Sequence, residues 1–115
     1  MSDVYRDAIE RLSHVPGVRG ALIVDMGAGV PVTAEVETGI SPDALAALAA
    51  ALYERTARAS DAAGFGALST FHLEAEGGHV VMAGAGDLVL IALVDDDAQL
   101  GRVRLETQRA AETLQ

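Results

Sequence analysis

The sequence predicts an α/β fold in which a five-stranded antiparallel sheet carries helices on both faces, in the order α-β-β-α-β-β-β-α. Apolar residues recur at helical spacing in three segments and at strand spacing in five. Glycine and proline fall between these segments, where turns are expected. One strand is apolar throughout and another contains an unbroken apolar run, which is typical of strands covered on both faces. We treat residues 1–115 as a single domain, because 115 residues is an ordinary length for one.

The first half of the chain is predicted to form a helix, two strands and a longer helix. Ser2 or Asp3 can cap the first helix. Pro31 cannot donate a ladder hydrogen bond, so its strand is predicted to lie at a sheet edge. Ser41 followed by Pro42 is a strong helix start, and Gly64 suits the left-handed backbone that ends a helix. The predicted ranges are helix 3–14, strand 18–25, strand 30–37 and a helix from Pro42 to about residue 63.

The second half is predicted to form three strands and a closing helix. Gly77 and Gly78 are interpreted as a two-residue hairpin loop, which sets Leu73 opposite Met82 and His72 opposite Ala83. The predicted strands are 68–76, 79–83 and 88–94.

The strand at 88–94 is apolar at every position, so we expect it to be the most central one. Asp96 is predicted to cap the last helix, with Gln99 as its capping-box partner.

Charge and composition exclude several classes of function. The formal net charge is −9, and all eight basic residues are arginine. So acidic a chain is repelled by nucleic-acid phosphates and anionic lipid, which predicts no nucleic-acid binding. The absence of lysine excludes a Walker A phosphate loop, and the absence of cysteine excludes a thiolate metal site. No segment is long enough to insert into a membrane, so we expect a cytoplasmic protein.

No set of residues has the spacing of a catalytic, cofactor or metal site. His14, His72 and His79 are not three or four residues apart, and the hairpin register above keeps the last two from meeting. Asp95-Asp96-Asp97 fits the N-terminus of a helix better than a calcium loop. Glu35/Glu37 and Glu74/Glu76 are carboxylate pairs on strand faces, without the desolvation that general-acid catalysis needs. The sequence therefore predicts a non-catalytic protein without cofactor or metal.

The helix that starts at Pro42 has more apolar surface than a lone subunit needs. At 100° per residue, one apolar stripe is wide enough to cover a sheet. It contains Leu45, Leu48, Ala49, Leu52, Thr56 and Ala59. A second arc of small residues lies beside it, with Tyr53 as a large anchor, and we expect this arc to pack against a partner helix. Since the chain is rich in alanine, the alternative is that these alanines are only good helix formers.

If the strand at 68–76 lies at the other edge of the sheet, it is a second indication of a partner. Its unpaired backbone groups are open to strand addition, and a two-fold axis there would bring two copies of the long helix together. The sequence thus predicts a homodimer. The predicted interface residues are Ala46, Ala50, Tyr53, Ala57, Ser60, Thr70 and His72.

Two stretches of the sequence resemble a known family. The segment from Leu12 to Asp25, LSHVPGVRGALIVD, combines a helix end, a Gly-Val-x-Gly-Ala entry and an apolar strand before a glycine turn. It resembles the roadblock family, the dynein-light-chain-type domains, and the order of elements agrees. The segments from Leu100 to Leu105 and from Arg109 to Glu112 are similar to bacterial MglB-like members.

The resemblance implies a homodimer that joins its sheets edge to edge and acts as a non-catalytic regulator or scaffold. The implied partner is a Ras-like small GTPase of the MglA type, with a GTPase-activating role as one form of regulation. The residues expected to face it are Glu54, Arg55, Arg58 and Asp61. An arginine finger is one role for the two arginines, and an ion pair with Glu54 or Asp61 is the other. The alternative function is a small-molecule sensor of similar architecture, although the chain has few aromatic residues for a pocket.

Overall fold

The computed structural model describes residues 3–115 and confirms the predicted fold class and element order. The five strands form one antiparallel sheet in the order β2-β1-β5-β4-β3. As predicted, the apolar strand at 88–94 is central and the strand at 30–37 is an edge, and the strand at 68–76 forms the other edge. The elements are α1 (Val4–Ser13), β1 (Val18–Asp25), β2 (Val30–Val36), α2 (Pro42–Ala62), β3 (Thr70–Ala75), β4 (Gly78–Ala85), β5 (Leu88–Val94) and α3 (Leu100–Glu112).

The sheet is covered on both faces, and each face has its own apolar core. Helices α1 and α3 pack on one face, where Ile9, Leu12 and Val103 are buried against Ile23 and Leu90. Helix α2 packs on the other face. Its core contains Leu22, Val24, Met82, Val89 and Ile91 from the sheet. Strands β1 and β5 contribute to both cores, which explains why they are apolar without alternation.

Two of the three helix starts follow the sequence prediction. The Asp3 carboxylate accepts hydrogen bonds from the backbone N–H groups of Tyr5 and Arg6, while Ser2 lies outside the described residues. The Ser41 hydroxyl accepts from the N–H of Ala44, with Pro42 in the first turn. The prediction for α3 was wrong, because that helix begins later.

The N-cap position of α3 is Gln99, and its side chain makes no capping hydrogen bond. The acidic residues before α3 do not cap it, and Asp95 makes other contacts. The N–H of Asp95 donates to the carbonyl oxygen of Gly17, and its carboxylate lies 3.4 Å from Nε of Arg19. Asp95 therefore ties the end of β5 to the start of β1 instead of starting the helix.

Replacing Ser41 with alanine is expected to lower the free energy of unfolding by about 1 kcal/mol, because the N–H of Ala44 loses its acceptor. Thermal unfolding followed by circular dichroism should show a melting temperature about 4 °C lower. Ser41→Asp is the matched control, since an aspartate also caps helices well. An equal loss in both variants would contradict the capping role.

The hairpin between β3 and β4 turns one residue earlier than predicted. Its loop consists of Glu76 and Gly77, so His72 is paired with Val81 and Leu73 with Val80. The predicted partners, Ala83 and Met82, are therefore wrong by two residues. Gly78 belongs to the strand, where its φ is +140° and a Cβ atom would collide with the carbonyl oxygen of Val94. The positive φ and the close approach of β5 both require glycine there.

Within residues 3–115, no helix has the length and apolar character needed to cross a membrane.

Candidate functional site

Helix α2 has an inner face that packs on its own sheet. Ala46, Ala49, Ala50 and Tyr53 are buried there, with Ala46 and Ala49 at 0% exposure and Tyr53 at 8%. The Tyr53 hydroxyl donates a hydrogen bond to the carbonyl oxygen of Leu68, at an Oη to O distance of 2.8 Å. Its ring lies over Gly84, where any Cβ atom would collide with it. Burial raises the pKa of the Tyr53 phenol.

The opposite face of α2 carries exposed apolar side chains. We name the set Ala44, Ala47, Leu48 and Ala51 the outer stripe; all four are exposed, and the Leu48 side chain retains 53% of its exposure. At 100° per residue they lie within about 100° of one another and on average almost opposite the buried residues. Their exposure leaves α2 with apolar surface that the subunit does not cover.

The predicted role of the second arc of α2 was wrong, and that of the first arc holds for Ala49 and Leu45, which pack on the sheet, but not for Leu48. Ala46, Ala50 and Tyr53 were expected to face a partner, but they lie beneath their own helix against the sheet. Ala57 also packs on this core, and the Ser60 hydroxyl donates to the carbonyl oxygen of Gly66. Leu48, expected on the sheet, faces outward instead. The small alanines explain this, because they let the helix lie close to the sheet while the bulkier leucines are left at its sides.

The second part of the predicted interface lies on an open edge. Strand β3 has β4 on one side and, within the described part of the chain, no strand on the other. Thr70 is half-buried and His72 exposed along it. These two side chains project to the face that α1 and α3 cover, since their partners Ala83 and Val81 belong to that core. The edge therefore has free backbone groups for strand addition.

The four residues expected to face a GTPase are all exposed on the C-terminal half of α2. Arg55 and Arg58 follow the outer stripe on the same side of the helix. NH2 of Arg58 lies 3.4 Å from Oε1 of Glu54, in an ion pair whose side chains are 74% and 57% exposed. Because both side chains are so exposed, this ion pair contributes little to the stability of the fold. Arg58 can therefore leave Glu54 and contact a partner protein at little cost.

Two histidines that the predicted hairpin register places apart are in contact in the structure. Nε2 of His72 lies 3.0 Å from Nδ1 of His79, across β3 and β4. The contact was missed because the predicted hairpin register was wrong by two residues. Nε2 of His79 lies 3.8 Å from Oδ1 of Asp96 on its other side. Among the described residues, no three His, Cys, Asp or Glu side chains are grouped as a complete metal site would require.

An open cleft of about 640 Å³ lies where the C-terminal ends of α2 and α3 approach the start of β3. It is lined by Tyr53, Ala57, Asp61, Gln108 and Glu112, among others. The Tyr53 hydroxyl in it is already bonded to Leu68. The other polar side chains of the lining, among them Asp61, Gln108 and Glu112, line an open surface cleft, whereas a small-molecule site is usually more enclosed and mostly apolar.

Comparisons with known proteins agree with this architecture. Residues 5–95 match the model of the Roadblock/LC7 domain family. An uncharacterized protein of Methanocaldococcus jannaschii is 27% identical over 90% of each chain. The structure of MglB from Myxococcus xanthus superposes with a TM-score of 0.86 at 21% identity, covering 96% of this chain and 90% of that one. An MglB structure with a tetrameric arrangement gives 0.83 at 25% identity, covering 99% and 89%. Since the family model spans most of the sequence, from the first helix to the end of the last strand, the chain belongs to the Roadblock/LC7 domain family.

Proposed function

We propose that this protein is a homodimeric, non-catalytic regulator or scaffold for a Ras-like small GTPase of the MglA type. The main support for the dimer is the outer stripe of α2, which is an exposed apolar surface. The sheet also has an open edge at β3. Exposed apolar area of this kind on a small acidic protein favours a protein partner. The similarity to MglB supports the choice of partner class.

In the proposed dimer, the outer stripe packs against its copy, and the open β3 edge stays available as a separate contact surface. The small side chains of Ala44, Ala47 and Ala51 allow two helices to approach closely, and Leu48 supplies the larger contact. This contact replaces Ala46, Ala50, Tyr53, Ala57 and Ser60 in the predicted interface and leaves Thr70 and His72 on the separate β3 edge. A two-fold axis would make each contact occur twice.

The GTPase is proposed to contact Glu54, Arg55, Arg58 and Asp61. The two arginines extend outward beyond the apolar stripe, so they stay accessible beside the proposed dimer contact. Guanidinium groups bind carboxylates and phosphates with directional hydrogen bonds, which suits a GTPase surface or its bound nucleotide.

Measuring GTP hydrolysis by an MglA-type GTPase of the same organism, with and without this protein, tests the proposal. We expect faster hydrolysis and co-elution of the two proteins. The double variant Arg55→Glu/Arg58→Glu should weaken both binding and acceleration at least tenfold, since about 1.4 kcal/mol for two reversed charges is a modest loss.

The matched control is Arg102→Glu/Arg104→Glu, which makes the same change on the exposed surface of α3. We expect it to leave hydrolysis and co-elution unchanged. Equal hydrolysis rates together with no co-elution would overturn the GTPase assignment. A loss of at least about 1,000-fold in acceleration by Arg55→Ala or Arg58→Ala alone would identify an arginine finger.

A further inference from the structure

Two imidazoles meet on the sheet face beside the open β3 edge. His72 of β3 and His79 of β4 project to the same face, where Nε2 of the first lies 3.0 Å from Nδ1 of the second. The rings are 5.1 Å apart between centroids and inclined by 42°, so they approach by their nitrogens and not by stacking. One N–H can donate across this gap, or both nitrogens can bind the same cation.

We propose that His72 and His79 chelate one divalent transition-metal ion of the zinc class, through Nε2 of His72 and Nδ1 of His79. Two nitrogens bound at about 2.05 Å to a tetrahedral zinc ion are about 3.3 Å apart. The observed separation of 3.0 Å is close to this value, so a movement of a few tenths of an ångström suffices. Neutral imidazole nitrogen is a preferred ligand of zinc, nickel and copper.

The surroundings of His79 favour a bound cation. Its side chain is only 11% exposed, and Oδ1 of Asp96 lies 3.8 Å from Nε2, the nitrogen that would not bind the metal. At this distance the carboxylate makes no hydrogen bond to the ring, but its negative charge favours a cation bound to the imidazole. Glu74 is the cross-strand neighbour of His79 and adds a further negative charge on this face. Asp96 and Glu74 thus attract a cation that the imidazoles bind.

The two histidines form an open site. Within residues 3–115 no third protein ligand is grouped with them, so the remaining coordination positions belong to water at the exposed side of His72. Such a site is typical of an exchangeable metal and not of a structural one, which has four protein ligands. The proposal stands on the contact within one chain and does not depend on the proposed dimer.

Titrating the full chain with Zn²⁺ by calorimetry tests the site. We expect one saturable site per chain, at least tenfold weaker in His72→Ala, a change at an exposed edge position. His14→Ala is the matched control, because that histidine bonds its own helix at Glu10 and should leave zinc affinity unchanged.

Proton resonances of both imidazoles, followed by NMR during the same titration, give a second readout that does not depend on any variant. The resonances of His72 and His79 should shift together and saturate at one zinc per chain, while those of His14 stay constant. An unchanged zinc affinity in His72→Ala would assign the metal to carboxylates and overturn the proposal. Absence of saturable binding would overturn it too, because the two nitrogens would then share only a proton.

Discussion

Replacing Tyr53 with alanine is expected to lower the free energy of unfolding by about 3–5 kcal/mol, the cost of removing a buried aromatic side chain. The ring is 8% exposed and fills the space over Gly84 between α2 and the sheet. Its hydroxyl also ties α2 to the carbonyl of Leu68, just before β3. Chemical denaturation followed by circular dichroism measures the loss.

Tyr5, the other tyrosine of the chain, provides the matched control. It is 38% exposed on α1, so Tyr5→Ala should cost less than about 1 kcal/mol. Tyr53→Phe keeps the ring and loses only the hydrogen bond to Leu68, which predicts a cost of about 1 kcal/mol. Equal losses in Tyr53→Ala and Tyr5→Ala would contradict the inward placement of Tyr53.

The raised pKa of Tyr53 makes the free energy of unfolding depend on pH in the alkaline range. Burial holds its pKa above the value of 10 in the unfolded chain, so the folded state keeps the proton longer. The free energy of unfolding is therefore unaffected below about pH 10 and falls as the pH rises through the folded-state pKa. Tyr53→Phe should show a shallower alkaline decline than the wild type.

The sequence was sufficient to predict the architecture because its signals are local. Proline at the start of α2, the edge proline in β2 and the unbroken apolar run of β5 each depend on the chemistry of a few neighbouring residues. These signals predicted all eight elements, the edge position of β2 and the central position of β5. They did not predict the late start of α3, because Asp95 forms an ion pair with Arg19 and a hydrogen bond with Gly17. Both residues lie far from Asp95 in the sequence.

The candidate site was harder to predict because it depends on packing. Hydropathy ranks Leu48 above Ala46 as a core residue, yet the alanine is buried and the leucine exposed. The distance between helix α2 and the sheet decides which of these residues is buried. In the sequence, Gly84 is the one indication of that distance, because Tyr53 packs where a Cβ atom would otherwise lie. The contact of His72 with His79 likewise depends on a hairpin register that two adjacent glycines left ambiguous.

The second large effect is expected on dimer affinity, from a substitution at the exposed Leu48. Leu48→Glu is expected to weaken the proposed dimer by about 1,000-fold. A large side chain at the centre of an interface contributes about 2 kcal/mol, and two-fold symmetry places the substitution in the interface twice. Together these give about 4 kcal/mol, and the two glutamates would also repel each other across the axis. Sedimentation at low micromolar concentration should show dimers for the wild type and monomers for the variant.

Leu105→Glu separates this effect from a general response to added charge. Leu105 is 45% exposed against 53% for Leu48, but it lies on α3, across the sheet from the outer stripe. The same substitution there should leave the dimer intact, and both variants should keep the wild-type circular dichroism spectrum because neither position is buried. A wild-type protein that sediments as a monomer would refute the dimer. If the dimer stays intact in both Leu48→Glu and Leu105→Glu, α2 is not the contact, and the open edge of β3 becomes the surface on which the assembly depends.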